Sequence, residues 1–249
     1  MILAELTSPM VADLPKNIVV VVPVASLEQH SLHLPLFTDT RLLEEAVRRV
    51  EPGLRWEMLA LPVMWLGYSH HHIKYPGTVT AGSSTHLDLM NDIVSSMLGH
   101  GFRRILLLNS HGGNQANLSV LLQRLMEQEP EAEVFAATLY SPPSTEKAFK
   151  RILEAGDKGS GHAGETETSM MMAIEPDLVH GEEMFADGDE AQPLLKGVTN
   201  YRRMDQRTRH GGVGDPRSAT AEKGEKLFKA IVDGLERTIK TIHAGKALP

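Results

Sequence analysis

Apolar positions along this chain follow two periods. Residues 18–24 (IVVVVPV) form a nearly continuous β-branched run, the pattern of a strand buried on both faces of a sheet. Residues 58–63, 104–108 (RILLL) and 134–139 (VFAATL) predict three further strands. Between them the spacing turns helical. Leu42, Leu43, Ala46, Val47 and Val50 mark one face of a helix over 40–50, with Asp39 placed to cap or precede it. Ser83 or Ser84 caps a helix running to about His100, with Gly101 just beyond its end. Residues 115–126 predict a third helix. The last runs from about Ala219 to His243 on a stripe of Leu227, Ile231, Leu235, Ile239 and Ile242. Strands alternating with helices predict an α/β fold: a mostly parallel central sheet flanked by helices, in a single domain over 1–249. Residues 177–214, rich in Gly, Asp and Arg, read as long loops, which in compact domains are often functional.

Composition narrows the chemistry. The net charge is −7 and the pI near 5.9, which gives no basic surface for nucleic acid. No stretch approaches the roughly 18 apolar residues of a membrane span, and the start has no signal-peptide pattern, so a cytoplasmic protein is expected. Cysteine is absent, which excludes disulfides, thiolate nucleophiles and thiolate metal sites. Any metal must therefore be held by nitrogen and oxygen, and the chain's 12 histidines are more than structure alone requires.

Those histidines concentrate where an open parallel sheet places its ligands, past the C-terminal ends of strands. Glu28, His30, His33 and Asp39 follow the first strand within a dozen residues, a donor set that suits a hard or borderline divalent cation. Asn109-Ser110-His111-Gly112-Gly113-Asn114 follows the third, its glycines allowing a sharp turn and a close approach to a ligand. A later block, Gly161-His162-Ala163-Gly164-Glu165-Thr166-Glu167, brings another His and two carboxylates to a predicted helix start. A lone His at a strand end is usually structural, and His33, His86, His100, His180 and His243 are read that way. Three segments each delivering His with carboxylate or glycine outweigh that reading for the others. The Gly-Gly pair lacks the third Gly of a dinucleotide fingerprint and the Lys of a P-loop.

The run VPVASLEQHSLHLPLFTDT, residues 22–40, resembles the creatininase-family signature, a Glu-Gln-His triplet ahead of an L-P-L-x-T-D-T run. Four further blocks follow in the family's order: His72-Ile73-Lys74-Tyr75-Pro76-Gly77-Thr78, residues 109–114, residues 162–169, and Gly214-Asp215-Pro216 with residues 219–224. The resemblance implies a related α/β fold, two divalent metal ions, hydrolysis of C–N bonds in small amides, and a homo-oligomer, often a hexamer. By it, Glu28 and His111 match the ligands of one metal, His30 a ligand of the second, and Asp39 the carboxylate that bridges both. The family's further Glu, two residues after the strand-end His, is Gly113 here. Glu167, which aligns with a family Glu, is the expected replacement and Glu165 the alternative.

His162 matches the family's catalytic His, with Glu165 orienting it or sharing its proton transfer if not a ligand. His72, Ser110, Gly112 and Gly113 are expected around the substrate, while His70 and His71 are evenly divided between a role and a solvated run. The aromatic and acidic residues that creatininase itself carries are replaced by Lys158, Gly159, Gly161 and Gly112, so the lid over a flat ring is absent. The chain therefore reads as a family member other than creatininase. Its Gly-Gly and His-Ala-Gly-Glu elements are similar to those of members that hydrolyse formamides or mature a peptide. The expected activity is attack of a metal-activated water on the C–N bond of a cyclic amide or formamide, with Zn, Mn or Fe equally compatible with the ligands. Two other readings stand beside it: a peptidase acting on a small modified peptide, and a metal-binding member without turnover.

Overall fold

The valine run forms β1 (Val19–Val24), every residue of which is buried. In the computed structural model, which describes residues 1–140, 145–188 and 197–246, β1 lies second in a four-stranded sheet. Its companions are β2 (Met58–Ala60), β3 (Arg104–Asn109) and β4 (Glu133–Thr138). The order is β2-β1-β3-β4 and every pairing is parallel, as the strand–helix alternation predicts. β2 is shorter than the expected 58–63. The Leu61 amide still reaches the Val21 carbonyl, but Pro62 next in line has no N–H to continue the ladder.

Alternate residues of the strands serve two cores. Val19, Val21, Met58, Ala60, Leu106 and Leu108 face α2 (Thr38–Val50), α5 (Thr145–Ile152), α6 (Glu165–Ile174) and α7 (Ala221–His243). Val20, Val22, Val24, Leu59, Ile105 and Leu107 face α3 (Ser83–Gly99) and α4 (Gln115–Gln128). Burying each such side chain contributes about 1.5–3 kcal/mol. A one-residue slip of any central strand would exchange its two faces. A short helix, α1 (Ser8–Ala12), precedes the sheet.

Helix α7 starts at a Thr220 cap whose hydroxyl accepts from the Lys223 amide, and α6 packs tightly along it. A Cβ on Gly224 would lie 2.0 Å from the Ser169 carbonyl oxygen, so no larger residue fits this crossing. Two expected helix starts shift. Helix α2 begins at Thr38, which puts Asp39 inside its first turn rather than ahead of it as a cap. Helix α3 is preceded by Gly82, and Ser83 donates its hydroxyl to Asn117 Oδ1 at 2.8 Å instead of capping.

The described parts of 177–214 form short turns, including Gly181–Glu183 and Met204–Gln206, and bond to the loop that follows β1 at Gln29 and His33. The Asp187–Gly214 bridge, a Tyr75–Thr208 hydroxyl contact and a Gln29 bond to the Gly211 carbonyl fasten the segment. Residues 189–196 lie outside the described residues, as does the side chain of Lys158. None of the described helices is long and apolar enough to cross a membrane.

Candidate metal centre

The C-terminal ends of β1 and β3 and the first turns of α2 and α6 meet at one point. Buried side-chain amides hold the backbone there. Asn109 donates from Nδ2 to the His111 carbonyl at 2.6 Å and accepts from the His111 amide at 3.1 Å. Asn114 donates to the Ala25 carbonyl at 3.0 Å and accepts the Tyr68 amide at 2.8 Å, tying three loops together. Ser110 donates its hydroxyl hydrogen to the Asp39 carbonyl at 3.0 Å, so it holds the first turn of α2 and has no hydroxyl hydrogen left for a substrate. Ser31 and Ala163, each next to a site histidine, take positive φ of 60° and 53°. Such backbone costs on the order of 1–3 kcal/mol and persists where the surroundings impose it.

Three histidines share one arrangement. His30 donates from Nδ1 to the Glu28 carbonyl (3.1 Å), His162 from Nε2 to the Gln29 carbonyl (2.7 Å), and His111 from Nε2 toward the Tyr68 carbonyl (3.2 Å). Each bond fixes an N–H on one ring nitrogen and turns the other toward acid. His111 Nδ1 lies 3.1 Å from Glu28 Oε1 and 3.4 Å from Asp39 Oδ2. His30 Nε2 lies 3.5 Å from Asp39 Oδ1 and 3.8 Å from Glu167 Oε2. His162 Nδ1 is 3.5 Å from Glu28 Oε1. Gln29, whose amide has only two hydrogens, bonds the Gly211 carbonyl (2.9 Å) and His72 Nδ1 (2.6 Å). His72 Nε2 lies 3.3 Å from Glu28 Oε1 without forming a hydrogen bond to it.

Electrostatics within this cluster are strong. Burial, the largest influence on Glu28, pushes its carboxyl up, but His111, His72 and His162 together hold it well below the ordinary value. Asp39 is likewise held down, with His30 and His111 outweighing burial. Burial pulls His30 down, yet Asp39 and Glu167 lift it to about 9, and His111 is raised well above its usual range. Glu167, with burial dominant, is pushed up to about 7. His162 and His71 are pulled by burial to about 3 and about 4, so both rings are neutral at pH 7.

Glu28 Oε1, His30 Nε2 and Asp39 Oδ2 are buried and have no hydrogen-bond partner. Unpaired polar atoms of this kind are costly and mark a missing cation or a strained site. One donor atom from each of these residues lies within 4.8 Å of the others, and the same holds for His30, His162 and Glu167. All are nitrogen or oxygen donors of the type that holds Zn, Mn or Fe, so the residues fit divalent metal.

The fold brings together every residue expected as a metal ligand, Glu28, His30, Asp39, His111 and Glu167, with His162 and His72 beside them. Glu165 is not among them. Its carboxylate is 0 % exposed and points the other way, taking Lys223 Nζ at 2.6 Å and the Ala155 and Glu154 amides at 2.8 and 3.1 Å. Neither a metal-ligand role nor orientation of His162 is open to it from there. The reason is helical: two positions apart on α6, Glu165 and Glu167 project from nearly opposite faces. Gly112 lies at the exposed mouth with open space beside it. Gln29 and Tyr140 were not singled out from the sequence, and His71 was left evenly divided between a role and a solvated run. Tyr140, two residues past β4 with its hydroxyl buried, sits near Glu167 and was detectable by the strand-end rule that found His111.

Residues 4–239 match the family described as creatininase, creatinine amidohydrolase. The chain belongs to the creatininase family. It is 34% identical to the mycofactocin precursor peptide peptidase of Mycolicibacterium smegmatis, over 89% of this chain and 84% of that protein. It is 27% identical to the 3-dehydro-scyllo-inosose hydrolase of Thermotoga maritima, over 92% and 80% of the two. A solved creatininase structure containing manganese, by its description, superposes with a TM-score of 0.81 at 25% identity, over 96% of this chain and 97% of that one. The creatininase-like α/β fold and the family's hydrolase class thus hold for this chain, which is a creatininase-family amidohydrolase.

Proposed function

We propose that this chain hydrolyses the amide C–N bond of a small molecule with two divalent ions. Glu28, His111 and Asp39 would hold one, and His30, Glu167 and Asp39 the other. The observation that carries this reading is the set of buried, unpartnered atoms, Glu28 Oε1, His30 Nε2 and Asp39 Oδ2, facing one another at the strand ends. When bound, divalent ions supply a Lewis acid for a substrate carbonyl and lower the pKa of water from about 15.7 to about 7.

The chain's own residues supply positioning and proton movement. Tautomers fixed by the carbonyls of Glu28, Gln29 and Tyr68 keep three nitrogens turned inward without reorganisation. His162 rests neutral, its Nε2–H committed to Gln29, and its side chain is 16% exposed. Nδ1 is therefore free to take a proton from the attacking side and give it to the departing nitrogen. His72, 1% exposed, lies beneath the cluster and orients Glu28 rather than lining the mouth. Gly112 leaves that side of the entrance free of side chain.

The resemblance of sequence to a peptide peptidase supports a second reading, cleavage of a short peptide. The metal-loaded protein assayed against formamides, cyclic amides and short peptides separates them. Turnover confined to the small amides is expected. Turnover confined to peptides would favour the second reading, and a metal-replete chain inert toward all of them would point to a binding role.

A further inference from the structure

His71 has no part in the reading above, yet one of its ring nitrogens lies within 4.8 Å of donor atoms of both Glu28 and His111. Its imidazole stacks on His111, ring centroids 5.4 Å apart and 16° from parallel. It follows Ser69, whose hydroxyl bonds Ser26 and lies 3.2 Å from His111 Nε2, so the turn carrying His71 is anchored to the Glu28 and His111 loops. No described protein group hydrogen-bonds either of its ring nitrogens. Three donors around one ion at about 2.0–2.2 Å are separated by roughly 3–4 Å, so a small closing movement around a cation suffices.

Gly113 explains how the ring gets there. A Cβ at position 113 would lie 2.6 Å from His71 Cε1, 2.5 Å from the Tyr68 carbonyl oxygen and 2.3 Å from His111 Nε2. Any side chain there would displace His111, the Tyr68 carbonyl or the His71 imidazole. The position cannot carry a carboxylate ligand, and the space one would need is taken by a nitrogen donor from another loop.

We propose that His71 is a nitrogen ligand of the metal held by Glu28 and His111, with Gly113 kept free of a side chain to admit it. This rests on the two-metal reading above and adds to it a chemical preference. The Glu28 side becomes a site with two imidazoles, which suits zinc or cobalt better than manganese, an ion that favours oxygen donors. The His30 side, with one imidazole and two carboxylates, keeps the harder character.

The test uses the full chain stripped with a chelator and titrated with Co²⁺, Zn²⁺ and Mn²⁺ alone, reading stoichiometry by elemental analysis and ligand geometry by the cobalt visible spectrum. In His71→Ala, Co²⁺ and Zn²⁺ should bind one of the two sites about 100-fold more weakly, at least matching the effect of losing an outer-shell partner. The cobalt bands of that site should shift, Mn²⁺ binding should fall less, and added imidazole should restore the bands. His71→Gln, which keeps more of the packing, should show the same loss with an unchanged far-ultraviolet spectrum. Variants that keep wild-type affinities and an unaltered cobalt spectrum would overturn the His71 assignment alone. A wild-type chain that binds no divalent ion would overturn the two-metal reading with it.

Discussion

Glu165→Gln separates a structural carboxylate from a chemical one. The wild-type side chain is 0 % exposed and accepts one ammonium and two backbone amides. Burial alone would push its carboxyl up, but Lys223 and the two amides more than offset that and hold it below the ordinary value. Glutamine has nearly the same volume, but its NH₂ must face one of three donors, leaving at least one buried N–H unpaired. Hydrogen bonds to a charged group contribute about 1.5–3 kcal/mol each. Removing one partner of a buried pair costs about 3–5 kcal/mol. Lys223 is 12% exposed and keeps Glu154 at 2.9 Å and the Ser218 carbonyl at 2.6 Å, so the lower end, about 3 kcal/mol, applies. At about 2–4 °C per kcal/mol for a chain of this size, Tm should fall by roughly 6–12 °C. Because the folded pKa is depressed, the stabilisation is complete above about pH 4.3 and lost as pH falls through the lower folded value. The gap between variant and wild type should therefore be full at pH 7 and close in acid. Calorimetry at pH 7 and pH 3.5 measures this, and kcat at 25 °C should stay within about twofold of wild type. An unchanged Tm with kcat reduced by orders of magnitude would refute the reasoning and place Glu165 in the chemistry.

Other outcomes follow from the same geometry. Glu167→Gln should keep the fold and lose the ion shared with His30, halving the bound metal in elemental analysis. Gly113→Ala forces His111, Tyr68 or His71 to move by the better part of an ångström, and kcat/KM should fall by about 100-fold. In the metal-free chain His30 and His111 are raised, so their stabilisation is complete below about pH 6.5 and is lost as pH rises, for His30 through about 9. Its Tm should drop between pH 7 and 9, whereas that of the metal-loaded chain, whose imidazoles are committed, should stay nearly level.

The sheet was legible because a doubly covered parallel strand must be apolar at every position, and runs such as residues 18–24 meet that condition without help from context. Helix starts were less so, since Ser83 has a tertiary partner in Asn117 that competes for its hydroxyl. The residues that cluster at the strand ends were readable as well, because His and carboxylate repeated there and the family motifs covered the same residues. What sequence spacing could not supply was direction. Glu165 and Glu167 are equivalent in composition, and only the helix phase and the presence of Lys223, 58 positions away, decide which one turns inward. His71 and Gly113 are over 40 positions apart, and their complementarity exists only once the loops are stacked. The same holds for Gln29, whose two amide hydrogens are placed by Gly211 and His72 from distant loops.

The proposed two-metal centre is tested most directly by the metal content of the purified chain and of Asp39→Ala. The Asp39 carboxylate lies 3.5 Å from His30 Nε2 and 3.4 Å from His111 Nδ1, between the two halves of the site. Elemental analysis should give about two divalent ions per wild-type chain, with three or four protein donors each. It should give at most one in Asp39→Ala, whose circular dichroism remains that of the folded protein. A wild-type chain without tightly bound divalent metal, or an Asp39→Ala variant that retains both ions, would contradict the account.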